Sequence, residues 1–450
     1  MSTQSFDLVV IGTGTAGSNV AYLCRAAGWR VAIVDSRPFG GTCALRGCDP
    51  KKVLVGVAEL VDWNRRMTGK GVRAEPTHLD WAELIRFKRT FTDPVPENRE
   101  HSFVEAGIAP FHGRARFTGP RTMQIGRDIL ESRYIAIAAG AKPRDLKIPG
   151  ATLLITSDQF LELNELPRRI LFMGGGYISF EFAHVAARAG AQGTILHRGA
   201  QPLEQFDADL VHRLLERTAE LGVAVQLGTE VEGIEKGASF RVHASAEKAK
   251  RVFETDLVVH GAGRVADVED LDLATAGVKY DSRGVEVNEY LQSVSNPAVY
   301  AAGDAAASGG PPLTPVAGYD GEIVASNLLN GNSRTVDYRG VPSVVFTVPP
   351  LARVGLLEQT ALQQGVRFRM HHEDTSTWYS SRRVRESCSG FKVLIEEDTE
   401  RILGAHLLGP QADEVINLFA IAIRTKLLAK DLKDAVLAYP THGSDIEHML

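Results

Sequence analysis

The stretch Phe6-Asp-Leu-Val-Val-Ile-Gly-Thr-Gly-Thr-Ala-Gly17 decides the fold. Its apolar half reads as a buried parallel strand. Its glycine-rich half opens a helical stretch to about Ala27, and Val31-Ala-Ile-Val-Asp35 then supplies the second strand of a βαβ unit. A lone G-x-G-x-x-G is a weak signal. The strand before Gly12, Gly14 and Gly17, the helix after them, and Asp35 at the end of the next strand are the context that gives it meaning. Gly12 and Gly14 let the backbone approach a pyrophosphate at a helix N-terminus, and Asp35 can accept both hydroxyls of a ribose.

A second cycle begins at Arg169-Ile-Leu-Phe-Met173, passes through Gly174-Gly-Gly176, continues as a helix to about Ala189 and reaches a strand at Thr194-Ile-Leu-His197. Two nucleotide-binding units in one chain are the internal repeat. Between them, Trp81 to about Phe103 reads as helical but is broken at Asp93-Pro-Val-Pro96, because proline forbids a continuous helix. Gly113 to Ile137 alternates short strands with Gly and Pro turns. From about Val341 the pattern changes to strands at Val344–Val348, Phe391–Glu396 and Ile402–Leu408, then a long amphipathic helix, Glu414–Leu427. This block has no nucleotide fingerprint and reads as a separate interface domain.

The 450 residues call for two to four domains. Forty-three glycines suit tight turns and close backbone approaches. A net charge of −5 gives no basic footprint for nucleic acid. No apolar run reaches membrane-spanning length. Met1 to Ile11 has no basic segment and leads directly into a strand, so it does not read as a signal peptide, and the expected location is the cytoplasm.

The strongest local signal is Gly40-Gly-Thr-Cys-Ala-Leu-Arg-Gly-Cys-Asp-Pro-Lys-Lys52. Cys43 and Cys48 lie five apart at a helix start, where the dipole is expected to lower a thiol pKa. Zinc would need two further ligands with paired spacing. The other two cysteines, Cys24 among apolar helix residues and Cys388 in a Ser-Cys-Ser-Gly turn, stand alone, so no metal is expected.

With its surroundings, this run resembles the redox-active segment of the pyridine nucleotide-disulfide oxidoreductases, and the likeness extends over nearly the whole chain. Ala138-Ala-Gly-Ala-Lys-Pro143 looks like that family's crossing from FAD domain to nicotinamide domain. Tyr300-Ala-Ala-Gly-Asp304 and Leu313-Thr-Pro-Val-Ala317 look like its second flavin segment, and Val345-Phe-Thr347 with Val354-Gly-Leu356 like the opening of its dimerisation domain. The resemblance implies an α/β fold with two interleaved Rossmann-like dinucleotide-binding domains and an α+β C-terminal dimerisation domain. It divides the chain into residues 1–145 (FAD, first part), 146–265 (NAD(P)H), 266–335 (FAD, return) and 336–450 (interface). It makes Cys43 the interchange thiol, Cys48 the charge-transfer thiol, Lys51 and Glu181 a pair near the flavin, and Tyr177 a gate over the nicotinamide pocket. Gly41, Thr42, Lys52, Gly140, Gly174, Gly176, Gly263, Asp304, Leu313, Thr314 and Ala317 join Gly12, Gly14, Gly17 and Asp35 as expected cofactor contacts.

Two departures from the family pattern bear on function. Its disulfide reductases carry His-Pro-Thr near the C-terminus, the histidine serving the partner subunit's thiols as acid/base with a glutamate nearby. Here the run is Tyr439-Pro-Thr-His-Gly-Ser444. A phenol ionising near pH 10 is deprotonated about one part in a thousand at pH 7, so Tyr439 cannot be the usual base, and His442 beside Asp445 is the candidate replacement. Mercuric reductases also place a tyrosine there but add a C-terminal cysteine pair, which this sequence does not show. Second, where NAD-dependent relatives have an acid, this chain has His197-Arg198, which suits the 2′-phosphate of NADPH over NADH, although Glu204 stands where some NADPH-dependent relatives have a further cation. The expected activity is an FAD enzyme that passes electrons from NADPH to the Cys43–Cys48 disulfide and on to a small disulfide or other thiol-reducible acceptor, as a homodimer. The alternatives are a metal-ion or quinone reductase of the same fold, and a non-catalytic redox-sensing flavoprotein.

Overall fold

The computed structural model describes residues 3–73, 77–247 and 249–450. Met1 and Ser2, with which the N-terminal reading begins, lie outside the described residues. The chain forms two compact units. The first comprises Met1–Lys51, Phe87–Arg144 and Arg264–Tyr338, and the second Lys52–Arg86, Asp145–Gly263 and Arg339–Leu450.

In the first unit the strand Thr3–Ile11 is central. It pairs in parallel with Val31–Asp35 on one side and Asp128–Ile137 on the other. Ala109–His112 extends the sheet beyond Val31–Asp35. Leu8 and Val10 enter one apolar core while Val9 and Ile11 enter another. Both faces are therefore covered, which is why the sequence is apolar without alternation. The first half of Asp128–Ile137 takes the antiparallel strand Thr122–Ile125, and its last residues take the returning strand Val299–Ala301 in parallel. The helix Thr15–Ala26 crosses the returning helix Thr314–Asn330 closely: a Cβ on Gly321 would stand 2.7 Å from Ala16 O. The chain leaves through Ala141–Pro143 and re-enters through Arg264–Ala266, which pair antiparallel.

The second unit repeats the nucleotide pattern and adds a block of its own. Ala224–Gln226, Gln192–Leu196, Arg169–Met173 and Leu257–His260 form a parallel sheet in that order, with the helix Tyr177–Arg188 following the central strand. The C-terminal block is an antiparallel sheet in the order Ser343–Val345, Leu351–Gly355, Ile402–Leu408, Gly390–Glu396, Phe368–Asp374. Phe391, Val393, Ala405 and Leu407 pack with Ile416 and Phe419 of the helix Ala412–Thr425. In the same strands Arg353, His406 and Lys392 stand in register across three strands. The Lys392 ammonium lies 2.9 Å from Asp207, 2.5 Å from Asp209 and 2.7 Å from Glu358.

Two of the differences from the sequence reading have a local cause. The C-terminal helix is Ala412–Thr425, because Lys426 turns left-handed at φ 59°. The strand expected over Val344–Val348 ends at Val345, since the N–H groups of Phe346 and Val348 turn to side chains of the helix Tyr177–Arg188.

Candidate redox site and cofactor cradles

The first glycine loop is built for close approach. Gly12 has φ 105°, and a Cβ there would lie 2.2 Å from Ala138 O. A Cβ on Gly17 would fall 2.0 Å from Gly12 O, and one on Gly41 2.4 Å from the Gly14 Cα. No side chain caps the helix Thr15–Ala26, so its first N–H groups face outward for an anion. This bare cradle fits the pyrophosphate of a dinucleotide. Asp35 stands at the expected place, and a buried neighbour orients it. Thr13 donates to Asp35 Oδ2 from its N–H at 2.9 Å and its hydroxyl at 2.7 Å, while its Oγ1 accepts Gly40 N–H at 3.1 Å.

The returning segment supplies the other half of this cradle. Burial holds the Asp304 carboxyl above the usual carboxylate range, against the pull of Arg264. Among the described residues no donor is hydrogen-bonded to it, which suits the hydroxyls of a ribityl chain. Leu313 is the extended residue before the helix, Thr314 its first residue, and Ala317 one turn on. Asp320 holds the Asp304 turn in place: Oδ2 accepts Gly303 N–H at 3.0 Å and Oδ1 accepts the Tyr338 hydroxyl at 2.9 Å. Burial pushes its carboxyl up to about 6. Gly140 takes φ 73° with open space above its Cα.

Cys43 sits within the short helix Gly41–Arg46, and Cys48 is the first residue of the long helix Cys48–Met67. Both are thiols here. The Cys48 sulfur lies 3.5 Å from Thr314 Oγ1, and the Cys43 sulfur 3.7 Å from Asp49 Oδ1. A helix start is expected to lower a thiol pKa. Cys43 goes the other way: its hydrogen bond to Cys48 raises it first, then burial and the charges of Cys48 and Asp49, with Thr314 opposing. Thr42 neighbours Cys43 in the short helix, and Lys51 is buried near the start of the long one. Lys52, expected at the cofactor, directs its ammonium to Asp413 at 3.2 Å and over the Phe346 ring at 4.3 Å.

In the second unit, Gly174 at φ 114° would place a Cβ 2.2 Å from Gly261 O. Gly176 precedes a helix that no side chain caps, a second bare N-terminus. Tyr177, its first residue, is 46% exposed. Glu181 is buried, and its Oε1 accepts Phe346 N–H at 2.8 Å. Gly263 has φ 104° after the last parallel strand. At the ribose end the His197 ring accepts Gly175 N–H at Nδ1 (3.1 Å) and meets Gln201 O through Nε2 (3.0 Å). The backbone of Gly175 and Gln201 thus holds the ring on both sides, while the neighbouring Arg198 is exposed.

The tail separates its two candidates. Tyr439 is 81% exposed. His442 and Asp445 instead line a recess of about 30 Å³ with Trp378, Ser381 and Ser389. Burial lowers the His442 pKa, with Arg383 adding to that and Asp445 opposing it.

Comparison with known proteins agrees with this geometry. The pyridine nucleotide-disulphide oxidoreductase family matches residues 6–321, and its dimerisation domain matches residues 341–450. The chain is 31% identical over 443 residues to a glutathione reductase of Burkholderia cepacia, covering 98% of this chain and 97% of that protein. It is 31% identical over 447 residues to a mercuric reductase of Staphylococcus aureus, covering 98% and 81%. A solved structure, the Cu(II) complex of the HOCl-induced flavoprotein disulfide reductase RclA from Escherichia coli, superposes with a TM-score of 0.89 at 27% identity over 99% of both chains.

The chain belongs to the pyridine nucleotide-disulphide oxidoreductase family.

Like its family, it is an FAD-dependent oxidoreductase with a pyridine nucleotide substrate, and Cys43 and Cys48 are its candidate redox-active pair. Among the described residues no helix is long and apolar enough to cross a membrane. Sequence reasoning missed three residues of this flavoenzyme's framework. Thr13 occupies a variable place in the glycine fingerprint, Asp320 lies one turn beyond the last recognised flavin residue, and Asp49 follows Cys48 in a run whose signal is its two cysteines. A polar residue flanked by motif glycines was the available signal for Thr13.

Proposed function

We propose that this enzyme takes its electrons from NADPH and that the Cys43–Cys48 pair delivers them to a small disulfide. What carries the reading is the placement of the thiols. Gly41, two residues before Cys43, lies against Gly14 of the first cradle, and Cys48 lies 3.5 Å from Thr314 of the second flavin segment. FAD, when bound, supplies the two-electron exchange between the nicotinamide and the Cys43–Cys48 disulfide. The two electrons break the Cys43–Cys48 bond and leave one thiol and one thiolate. The Cys43 sulfur then attacks one sulfur of the acceptor disulfide, whose S–S bond breaks and whose other half departs as a thiol. Cys48 attacks the mixed disulfide, restores the Cys43–Cys48 bond and releases the second half. Arg198 is the cation for the 2′-phosphate, and Tyr439 is the tail residue that meets the thiols of a second copy in a homodimer. NADPH dependence, with Cys24 and Cys388 held as buried thiols, suits the cytoplasm.

The test is anaerobic titration of the FAD-loaded enzyme with NADPH. A long-wavelength absorbance band, from the Cys48 thiolate against the flavin, is expected after two electrons. Cys48→Ser should lose the band while keeping FAD. A mutant that retains it would show that the thiols are wrongly assigned.

A second reading has the dithiol enzyme reducing a soft metal ion. Likeness to a mercuric reductase and to a flavoprotein solved with Cu(II) favours it, as does Tyr439. NADPH consumption with disulfides and with Hg(II) or Cu(II), compared side by side, decides between them. The disulfide reading requires the faster turnover on a disulfide.

A further inference from the structure

We propose that Asp49 is a catalytic residue of the dithiol: it accepts the Cys43 S–H bond, keeps the proton of the reduced pair on Cys43, and so places the thiolate on Cys48. The inference deepens the reading of Cys48 as the flavin-side thiolate.

Asp49 is the second residue of the helix Cys48–Met67, and its Oδ1 lies 3.7 Å from the Cys43 sulfur, within reach for an S–H donor. Gly47 breaks the chain between the two helices, where a Cβ would lie 2.8 Å from Thr42 O. That break turns Cys43 back toward the start of the second helix, where both Cys48 and Asp49 stand. Three groups face Cys43: Cys48 and Asp49 from the long helix, and Thr314 from the returning helix.

Their effects can be ranked by charge. A reduced pair that has lost one proton can carry its negative charge on either sulfur. A carboxylate beside Cys43 makes charge on that sulfur the costlier choice, because like charges this close repel even in bulk water. The same carboxylate accepts a hydrogen bond only while Cys43 is protonated. Both effects hold the proton on Cys43. Thr314 Oγ1, 3.5 Å from the Cys48 sulfur, adds a hydroxyl there; its contact with Cys43 works the other way and is outweighed by Cys48, burial and Asp49. When the acceptor disulfide approaches, the Cys43–sulfur bond forms as the acceptor S–S bond breaks. The Cys43 proton goes to the departing sulfur, with Asp49 holding it at the moment of attack. No histidine is needed at position 439 for that proton to be stored.

The experiment reads each sulfur directly. The FAD-loaded enzyme is reduced anaerobically with NADPH, treated with iodoacetamide across a pH series and mapped by mass spectrometry. Cys24 and Cys388 are buried, so native alkylation reports Cys43 and Cys48. Asp49→Asn keeps the side-chain size and removes the charge. It should lower the pH of half-maximal Cys43 alkylation by about one unit, as expected for one unit charge removed from an exposed site, and so raise alkylation near pH 7 about tenfold. Part of the long-wavelength band should be lost as the proton moves to Cys48. Asp49→Glu should restore both readings. An unchanged Cys43 alkylation profile in Asp49→Asn would overturn the proposal, whatever the band does. Loss of the band in Asp49→Asn together with its persistence in Cys48→Ser would instead overturn the assignment of Cys48, and the alkylation arm would still stand by itself.

Discussion

Arg198 stands exposed at the end of a parallel strand, where a ribose acid would sit in a nucleotide site of the NAD type. Its neighbour His197 directs both ring nitrogens to the backbone of Gly175 and Gln201, so the imidazole braces the glycine loop, and the proposed contact with a 2′-phosphate falls to the guanidinium. Losing one charge-assisted contact costs about 1.5–3 kcal/mol, or roughly ten- to a hundredfold in affinity. Arg198→Ala should therefore raise the Michaelis constant for NADPH by that factor and leave NADH nearly unchanged. Steady-state kinetics with both nucleotides check this, and equal losses would remove Arg198 from the phosphate. At this scale legibility depended on whether a residue type has few uses. Asp35 and the glycines could be read because a cofactor-facing βα turn needs them in fixed places. Thr13 could not, because its role depends on Asp35 and Gly40, 22 and 27 positions away.

At the scale of elements, the helix Tyr177–Arg188 does more than follow a nucleotide strand. Glu181, His184 and Arg188 share one face at helical spacing and grip the extended run Phe346–Val348. Glu181 accepts Phe346 N–H at 2.8 Å, His184 Nδ1 accepts Val348 N–H at 3.2 Å, and Arg188 donates to Val348 O at 2.8 Å. These side chains supply the partners that a neighbouring strand would have supplied, so a run that looks like a strand in sequence stops being one at Val345. Periodicity cannot foresee a helix some 165 positions away taking over a ladder. Arg188 also binds Asp62 through two nitrogens, at 3.1 and 2.6 Å. The His184 ring is fully buried, its Nε2 2.9 Å from Thr218 Oγ1, and burial together with the charges of Arg188 and Arg217 holds its pKa well below the usual imidazole value. In the unfolded chain the same ring protonates near 6.5. The stability it contributes is thus present above about pH 6.5 and is lost as pH falls, by up to about 1.4 kcal/mol per unit. Asn at position 184 can still accept from Val348 but cannot titrate. Urea unfolding across acidic pH should show a shallower loss of stability in His184→Asn than in the wild type. Parallel slopes would mean that His184 is not held neutral.

For the whole molecule, the two nucleotide units and the interface block were legible because glycine punctuation and strand runs are local and repeat. What the tail does was not, since the partners proposed for it belong to a second chain. The interface block leaves Ile421 57%, Val436 101% and Tyr439 81% exposed. The dimerisation-domain match over residues 341–450 suggests a homodimer. In a symmetric dimer each copy would offer its tail to the other's thiols. That arrangement makes a prediction which no single-chain site can satisfy. Cys43→Ser removes the attacking sulfur, and Tyr439→Ala removes the tail's contribution, so each homodimer should turn over a disulfide slowly. Dissociated, mixed in equal amounts and reassociated, half of the molecules should be mixed dimers. In each of these, one site combines the intact Cys43 of one copy with the intact Tyr439 of the other, so about a quarter of the wild-type sites should return. His442→Ala in place of Tyr439→Ala should give little loss to complement, because His442 faces a recess of its own unit. If mixing restores nothing while size-exclusion confirms the mixed dimers, Tyr439 serves its own chain's site or none, and the acceptor must meet Cys43 without help from a second copy.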